Sequence, residues 1–122
     1  MGYLTRNVAP TLGWYLQRVT AIFLAFGLLV HFWVLHFVIE RPVTFAKVQE
    51  RMLTPGWVIF DLLLLIFAVY HGLNGLWNVI IDYNPPAGLR KFLGWLFFIV
   101  GLALVIVGFY ALIPFTVNGG AI

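Results

Sequence analysis

The residues best suited to chemistry in this sequence interrupt a single apolar segment at regular intervals. His71, Asn74, Asn78 and Asp82 lie in a stretch composed mainly of Leu, Ile, Val and aromatic residues. On a helix that turns about 100° per residue, the last three side chains fall within about 60° of His71. Polar groups are costly in hydrocarbon and normally face protein or a cavity. This polar stripe is therefore predicted to face something other than lipid.

His71 lies eleven residues before Asp82, which corresponds to about 16 Å along a helix axis. If Asp82 marks one membrane surface, His71 lies near mid-membrane. A neutral imidazole buried there could be an axial ligand of haem iron, and the nearby Gly72 and Gly75 leave room for a flat macrocycle. The alternative is that His71 only forms a hydrogen bond to a neighbouring helix.

Asp82 and Tyr83 come just before a turn that Pro85 and Pro86 indicate. A carboxylate and a phenol at the membrane surface can donate a hydrogen bond and relay protons. Such a pair would suit a quinone, because its two carbonyl oxygens are protonated on reduction. The same residues could instead end the helix and contribute to the aromatic belt of the membrane.

Other candidate side chains accompany the first apolar segment. Arg18 lies at the same predicted interface as Asp82, where it could pair with a carboxylate, a haem propionate or a lipid phosphate, or simply anchor the topology. His31 is thirteen residues deeper and could be a second ligand or a packing residue. His36 points about 140° away from His31, so the two cannot share one site, and an interfacial position is expected for His36.

Three membrane-spanning helices are predicted to position these residues. Charged residues make up only 9% of the chain and hydrophobic residues 63%, whereas soluble domains average ~25% charged. Apolar stretches long enough to cross a hydrocarbon core of ~30 Å predict helices over about 13–39, 56–81 and 90–114. The sequence thus predicts an all-α integral membrane protein, with one membrane domain over 1–122. Residues 1–18 are too polar for a cleavable signal peptide, so the first helix is expected to be retained.

Charge and composition exclude several classes of function and indicate the topology. The absence of cysteine excludes disulfides and Cys-ligated iron–sulfur clusters, and the few basic residues indicate topology and not nucleic-acid binding. The apolar segments offer no broken helices or repeats from which to build a channel or transporter. The charge distribution favours an N-terminus inside and a C-terminus outside. The side that would be cytoplasmic carries Arg6, Arg18, Arg90 and Lys91, and the other side Arg41, Lys47 and Arg51.

Glycine recurs every seven residues along the third segment, at Gly94, Gly101 and Gly108. All three nearly share one helix face, which predicts a groove where another helix can approach closely, although a chance spacing is the alternative. The glycine groove and the polar stripe together predict packing against partner helices.

Two sequence patterns resemble a known family. Trp14-x-x-Gln17-Arg18-x-Thr20-Ala21 before the first span resembles the start of the D-type hydrophobic anchor subunit of succinate dehydrogenase. His71-x-x-x-Gly75 followed by Asp82-Tyr83 resembles the second helix of that subunit. The related C-type anchor has other residues in two places: after the glycine of the second pattern, where this chain has Leu76-Trp77-Asn78, and at the position of Trp14. The resemblance covers nearly the whole chain.

The resemblance implies a role for each matched residue. His71 would be one axial ligand of a haem b, and Arg18 would pair with a haem propionate. Tyr83 would hydrogen-bond a carbonyl of ubiquinone or menaquinone, and Asp82 would support that site or its proton path.

The resemblance also implies the setting in which the chain works. Its partners would be the C-type anchor, whose histidine would complete the haem ligation within a shared helix bundle, the iron–sulfur subunit and the flavoprotein. In the cytoplasmic membrane of a prokaryote, the complex would pass electrons from succinate to quinone in the tricarboxylic acid cycle and respiratory chain. This chain would itself hold neither flavin nor cluster. The alternatives are a haem-free structural anchor and the anchor of a related fumarate reductase.

Overall fold

The structure is a computed structural model that describes residues 12–116, and every regular element in that range is helical. The elements in chain order are α1 (Leu12–Trp33), which continues as a π-helical segment (Val34–Val38), α2 (Phe45–Met52), α3 (Pro55–Asp82) and α4 (Ala87–Thr116). Three stretches are long and apolar enough to cross a membrane: Leu12–Val38, Pro55–Asp82 and Ala87–Ile113. The predicted all-α fold with three membrane spans is confirmed.

The helix ends lie close to the predicted bounds, except at the start of α4. α3 ends with Tyr83 as its C-cap, followed by Asn84 in the left-handed conformation with φ of 50°. Asparagine tolerates this conformation better than most residues, and the two prolines that follow cannot continue the helix. α4 begins at Ala87, three residues earlier than predicted, directly after Pro86. The turn between the spans is therefore shorter than the sequence suggested.

The segment between the first two spans, where no helix was predicted, contains the amphipathic helix α2. Thr44 starts it as N-cap, because its hydroxyl oxygen accepts a hydrogen bond from the backbone N–H of Lys47 at 3.4 Å. The Lys47 ammonium group donates to the carbonyl oxygens of Glu40 (2.9 Å) and Pro42 (3.3 Å). Met52 is buried at the end of α2. α2 therefore packs against the ends of α3 and α4.

α3 is the central helix of the three spans, because it packs against both α1 and α4. On the α1 side, Gly27 faces Leu64, and the ring of Phe23 contacts the ring of Phe67 with centroids 4.7 Å apart. On the α4 side, a Cβ added at Gly101 would lie 2.8 Å from Leu73 Cδ1. Side chains of α3 likewise lie close to the other two glycines of the groove. The predicted glycine groove therefore receives a helix of the same chain.

Little of the apolar surface is buried within the chain. The buried apolar side chains among the described residues are Leu24, Val34, Met52 and Leu64. α4, by contrast, exposes large apolar side chains along most of its length. This distribution is the reverse of a soluble domain and fits a chain surrounded by lipid and other helices.

Candidate functional site

A polar seam joins α1 to α3 inside the membrane-spanning region. Thr20 Oγ1 lies 3.1 Å from Nδ1 of His71. One turn away, Gln17 donates from Nε2 to the backbone oxygen of His71 (3.3 Å) and accepts at Oε1 from Nδ2 of Asn74 (2.8 Å). Gly75 leaves space for this contact, since an added Cβ would lie 3.2 Å from Gln17 Nε2. The two sequence patterns that carried the resemblance thus meet across one helix interface.

The hydrogen bonds of Thr20 favour one tautomer of a neutral His71 ring. The Thr20 hydroxyl donates its proton to the backbone oxygen of Leu16 at 2.7 Å, an oxygen that can only accept. With its proton on that oxygen, Thr20 offers lone pairs to His71, and Nδ1 of His71 is then the donor across the 3.1 Å contact. In a neutral imidazole, the other nitrogen, Nε2, then carries the free lone pair. No described residue hydrogen-bonds to Nε2.

These residues fit an axial haem ligand. Metal-ligating histidines usually donate their second ring N–H to an oxygen of the protein, which fixes tautomer and ring orientation. His71 is placed for this arrangement, with Nδ1 3.1 Å from Thr20 Oγ1, and is only partly buried within the chain. Gly72, the next residue, has open space around it, because an added Cβ would meet nothing within 4 Å. The donor atom, its orientation and the neighbouring space all suit a flat macrocycle.

A cleft of about 650 Å³ opens between the start of α1 and the end of α3. Its size falls within the range of small-molecule binding sites. The residues that line it are Gly13, Trp14, Gln17, Arg18, Asn74, Trp77, Asn78, Ile81 and Asp82. Three residues of the predicted polar stripe therefore line this cleft: Asn74, Asn78 and Asp82. The fourth, His71, is hydrogen-bonded to Thr20 in the seam.

Arg18, Asp82 and Tyr83 lie at this end of the molecule but are not joined to one another. In the part of the chain that the structure describes, no ion pair links Arg18 to Asp82, although both line the cleft. The Arg18 guanidinium carbon lies 4.9 Å from the ring centroid of Trp14, a cation–π contact. Tyr83 is 85% exposed and lies outside the cleft lining. All three side chains are thus accessible to a ligand or a neighbouring subunit.

A second polar cluster lies towards the opposite end of the α1–α3 interface. Arg51 donates to Asp61 through Nη1 to Oδ2 (3.0 Å) and Nη2 to Oδ1 (3.2 Å). His31 Nδ1 lies 3.2 Å from Asp61 Oδ1. The guanidinium carbon of Arg51 is also 4.5 Å from the ring centroid of Trp57. This charged cluster, composed of His31, Arg51 and Asp61, ties α1, α2 and α3 together.

Sequence reasoning missed the role of Asp61. Asp61 lies inside the second predicted span, and its partner Arg51 lies between the first two spans. One signal was present, because an acidic residue within a membrane span requires a partner. His31 is assigned by the structure to this cluster. It lies eleven residues along the helix from Thr20, about 16 Å, and so does not share a site with His71. His36 is exposed, and its Nδ1 is 2.9 Å from the backbone oxygen of Phe32.

Comparison with known proteins decides the family. Residues 3–115 match the family described as succinate dehydrogenase/fumarate reductase transmembrane subunit. The chain belongs to this family. A succinate dehydrogenase hydrophobic membrane anchor subunit of Archaeoglobus fulgidus is 31% identical over 107 residues, covering 88% of this chain and 89% of the relative. A protein of the same description from Thermoplasma acidophilum is 31% identical over 93 residues, covering 75% and 76%.

The family assignment confirms the resemblance that the sequence patterns indicated. The chain is a multi-pass membrane protein and a membrane-anchor subunit of a succinate dehydrogenase or fumarate reductase complex. The match spans all three membrane helices and both sequence patterns. The α1–α3 seam and the cleft beside it are thus features of an anchor subunit.

Proposed function

We propose that this anchor subunit holds a haem b and forms part of the quinone-reduction site of a succinate dehydrogenase. The observation that carries the proposal is the 3.1 Å contact between His71 Nδ1 and Thr20 Oγ1, which occupies Nδ1 and leaves Nε2 as the ligand atom. The descriptions of both relatives support succinate as the electron donor of the complex.

His71 would bind the haem iron through Nε2, and a histidine of the C-type anchor would supply the second protein ligand. When bound, the haem supplies reversible one-electron transfer. Arg18 would neutralise a propionate, a role compatible with its exposed position and its place in the cleft lining. Gly72 would leave the space beside the ligand open.

Tyr83 and Asp82 would serve the quinone, whose reduction takes up two electrons and two protons. Both residues lie at the end of α3, where water can reach them and supply protons. The Tyr83 hydroxyl would donate a hydrogen bond to a carbonyl oxygen of ubiquinone or menaquinone. The Asp82 carboxylate, which lines the cleft, would support that site or pass a proton to it.

The iron–sulfur subunit and the flavoprotein would bind at the membrane surface where α3 ends. The described basic residues near this surface are Arg18, Arg90 and Lys91, which favours a cytoplasmic location for it. The fourth basic residue used in the topology prediction, Arg6, lies outside the described residues. The N-terminus would then be cytoplasmic and the C-terminus outside, in the cytoplasmic membrane of a prokaryote.

The quinone assignment is tested by replacing Tyr83 with Phe in the assembled complex. Tyr83→Phe removes the hydrogen-bond donor and keeps the ring, so succinate–quinone reductase activity should fall while succinate oxidation with an artificial dye acceptor stays near wild type. Tyr110→Phe is the matched control, since Tyr110 is similarly exposed on α4. Equal loss of both activities in Tyr83→Phe would contradict the assignment and indicate faulty assembly.

A fumarate reductase anchor is the second candidate, because the family description covers both enzymes. The same residues would serve the reverse direction, with hydroquinone as the electron donor. Initial rates of succinate oxidation by quinone and of fumarate reduction by hydroquinone, measured on one preparation, separate the two. A markedly faster fumarate reduction would favour this candidate.

A further inference from the structure

We propose that Thr20 is a positioning residue for His71, because its hydroxyl group selects the tautomer and ring orientation with which Nε2 faces haem iron. The inference rests on the proposed function, since it takes His71 as the iron ligand. Thr20 itself does not touch the iron or the quinone in this account. It acts only through the imidazole ring of His71.

The selection arises from the acceptor that the Thr20 hydroxyl proton takes. The contact with the backbone oxygen of Leu16 is the shortest, at 2.7 Å, which favours donation of the single proton there, and Gln17 O lies at 3.2 Å as a second carbonyl acceptor. With the Thr20 proton on a carbonyl oxygen, the tautomer protonated at Nε2 would place two lone pairs against each other across the 3.1 Å contact with Nδ1. Only the tautomer protonated at Nδ1 avoids this repulsion, and that tautomer has its lone pair on Nε2.

The surroundings of Thr20 hold its hydroxyl group in one position. Thr20 is 3% exposed, so water does not compete for its oxygen. Its side chain is β-branched and is bonded back to the preceding turn, which holds the hydroxyl in one rotamer. One turn earlier, Gln17 donates a hydrogen bond to the backbone oxygen of His71 and accepts one from the side chain of Asn74. The ring and the backbone of His71 are therefore both fixed from α1.

Loss of the Thr20 hydroxyl should weaken haem binding and change the iron potential. A hydrogen bond donated from Nδ1 makes the imidazole a stronger electron donor, which favours oxidised iron. Removal of such an outer partner typically costs about 10–100-fold in metal affinity. We therefore expect faster haem loss and a higher midpoint potential when the acceptor is removed.

The experiment uses the assembled, haem-containing complex with Thr20→Val, Thr20→Ser and Thr54→Val. Valine keeps the shape of threonine without the acceptor, and serine keeps the hydroxyl. Thr54→Val is the matched control, because Thr54 is an exposed N-cap at the other end of α3 whose side chain makes no cap hydrogen bond. Two quantities are measured: the rate of haem transfer to excess apomyoglobin, and the haem midpoint potential by redox titration.

The proposal predicts that Thr20→Val loses haem about 10–100-fold faster, with a raised potential, while Thr20→Ser and Thr54→Val stay close to wild type. Wild-type behaviour of Thr20→Val would overturn it, and so would a Thr20→Ser variant as impaired as Thr20→Val. A His71→Ala complex, measured in parallel, separates this inference from the proposed function. If His71→Ala keeps a normal haem, the ligand assignment itself is wrong.

Discussion

Arg51 and Asp61 show how single residues can hold this membrane protein together. Their side chains are 7% and 8% exposed, and two parallel hydrogen bonds join the guanidinium to the carboxylate. A buried charge without its partner is costly, whereas a matched apolar pair of similar size can be tolerated. The pair therefore matters mainly because removing one member leaves the other uncompensated.

Replacing Arg51 with Met should destabilise the assembled complex by about 3–5 kcal/mol, because the Asp61 carboxylate would remain buried without its cation. The double variant Arg51→Met/Asp61→Leu should recover much of the loss. Thermal unfolding of the purified complex in detergent provides the measurement. Arg90→Met is the control, since Arg90 is exposed and makes only a 3.3 Å hydrogen bond to Asn84. A double variant no more stable than Arg51→Met would contradict the explanation.

At the residue scale, the sequence predicted which polar side chains share a helix face better than it predicted their partners on other helices. The helical period placed His71, Asn74, Asn78 and Asp82 on one face, because spacing along one helix depends only on helix geometry. The contact between Thr20 and His71 depends on the register of α1 against α3. That register is set by packing around Gly27 and Phe23, which spacing along one helix cannot supply.

At the scale of elements, α4 is held against α3 by its glycines. Leu73 lies close to Gly101, and Leu65 close to Gly108, so these positions allow the two helices to approach. Larger side chains there would force the helices apart.

Gly101→Leu should destabilise the complex by about 1–3 kcal/mol, the usual cost of overpacking. Gly88→Leu is the matched control on the same helix, since an added Cβ at Gly88 meets nothing within 4 Å. Both variants are compared with wild type by midpoint of thermal unfolding. Equal shifts for the two variants would show that close approach at Gly101 is not what holds α4 in place.

The spans were predictable as elements because apolar length alone identifies a membrane helix. α2 was not predicted, since its eight residues lie between Pro42 and Pro55 in a charged segment where no long apolar stretch exists. Thr44, a good N-cap residue, was the local signal for it. The π-helical continuation of α1 had no recognised signal, because it changes the hydrogen bonding of a helix whose apolar pattern continues through it.

At the scale of the whole molecule, α3 connects two polar sites that lie at different depths. The seam at His71 and the cleft near Asp82 lie towards the C-terminal end of α3, and the cluster at Asp61 lies towards its N-terminal end. Between them the helices are apolar, and much of that surface faces outwards. The arrangement suits the proposed anchor, in which haem and quinone would lie towards one end of α3 while lipid and partner helices cover its sides.

The central claim, that His71 binds haem iron, is tested most directly by a dithionite-reduced minus oxidised visible spectrum of the purified complex. The wild-type complex and a His36→Ala control, altered at an exposed histidine of α1's π-helical extension, should both show a b-type haem signal. His71→Ala should lose that signal or shift it markedly, while the subunits remain assembled. An unchanged haem spectrum in assembled His71→Ala, or a wild-type complex that reduces quinone from succinate without any haem, would contradict the claim.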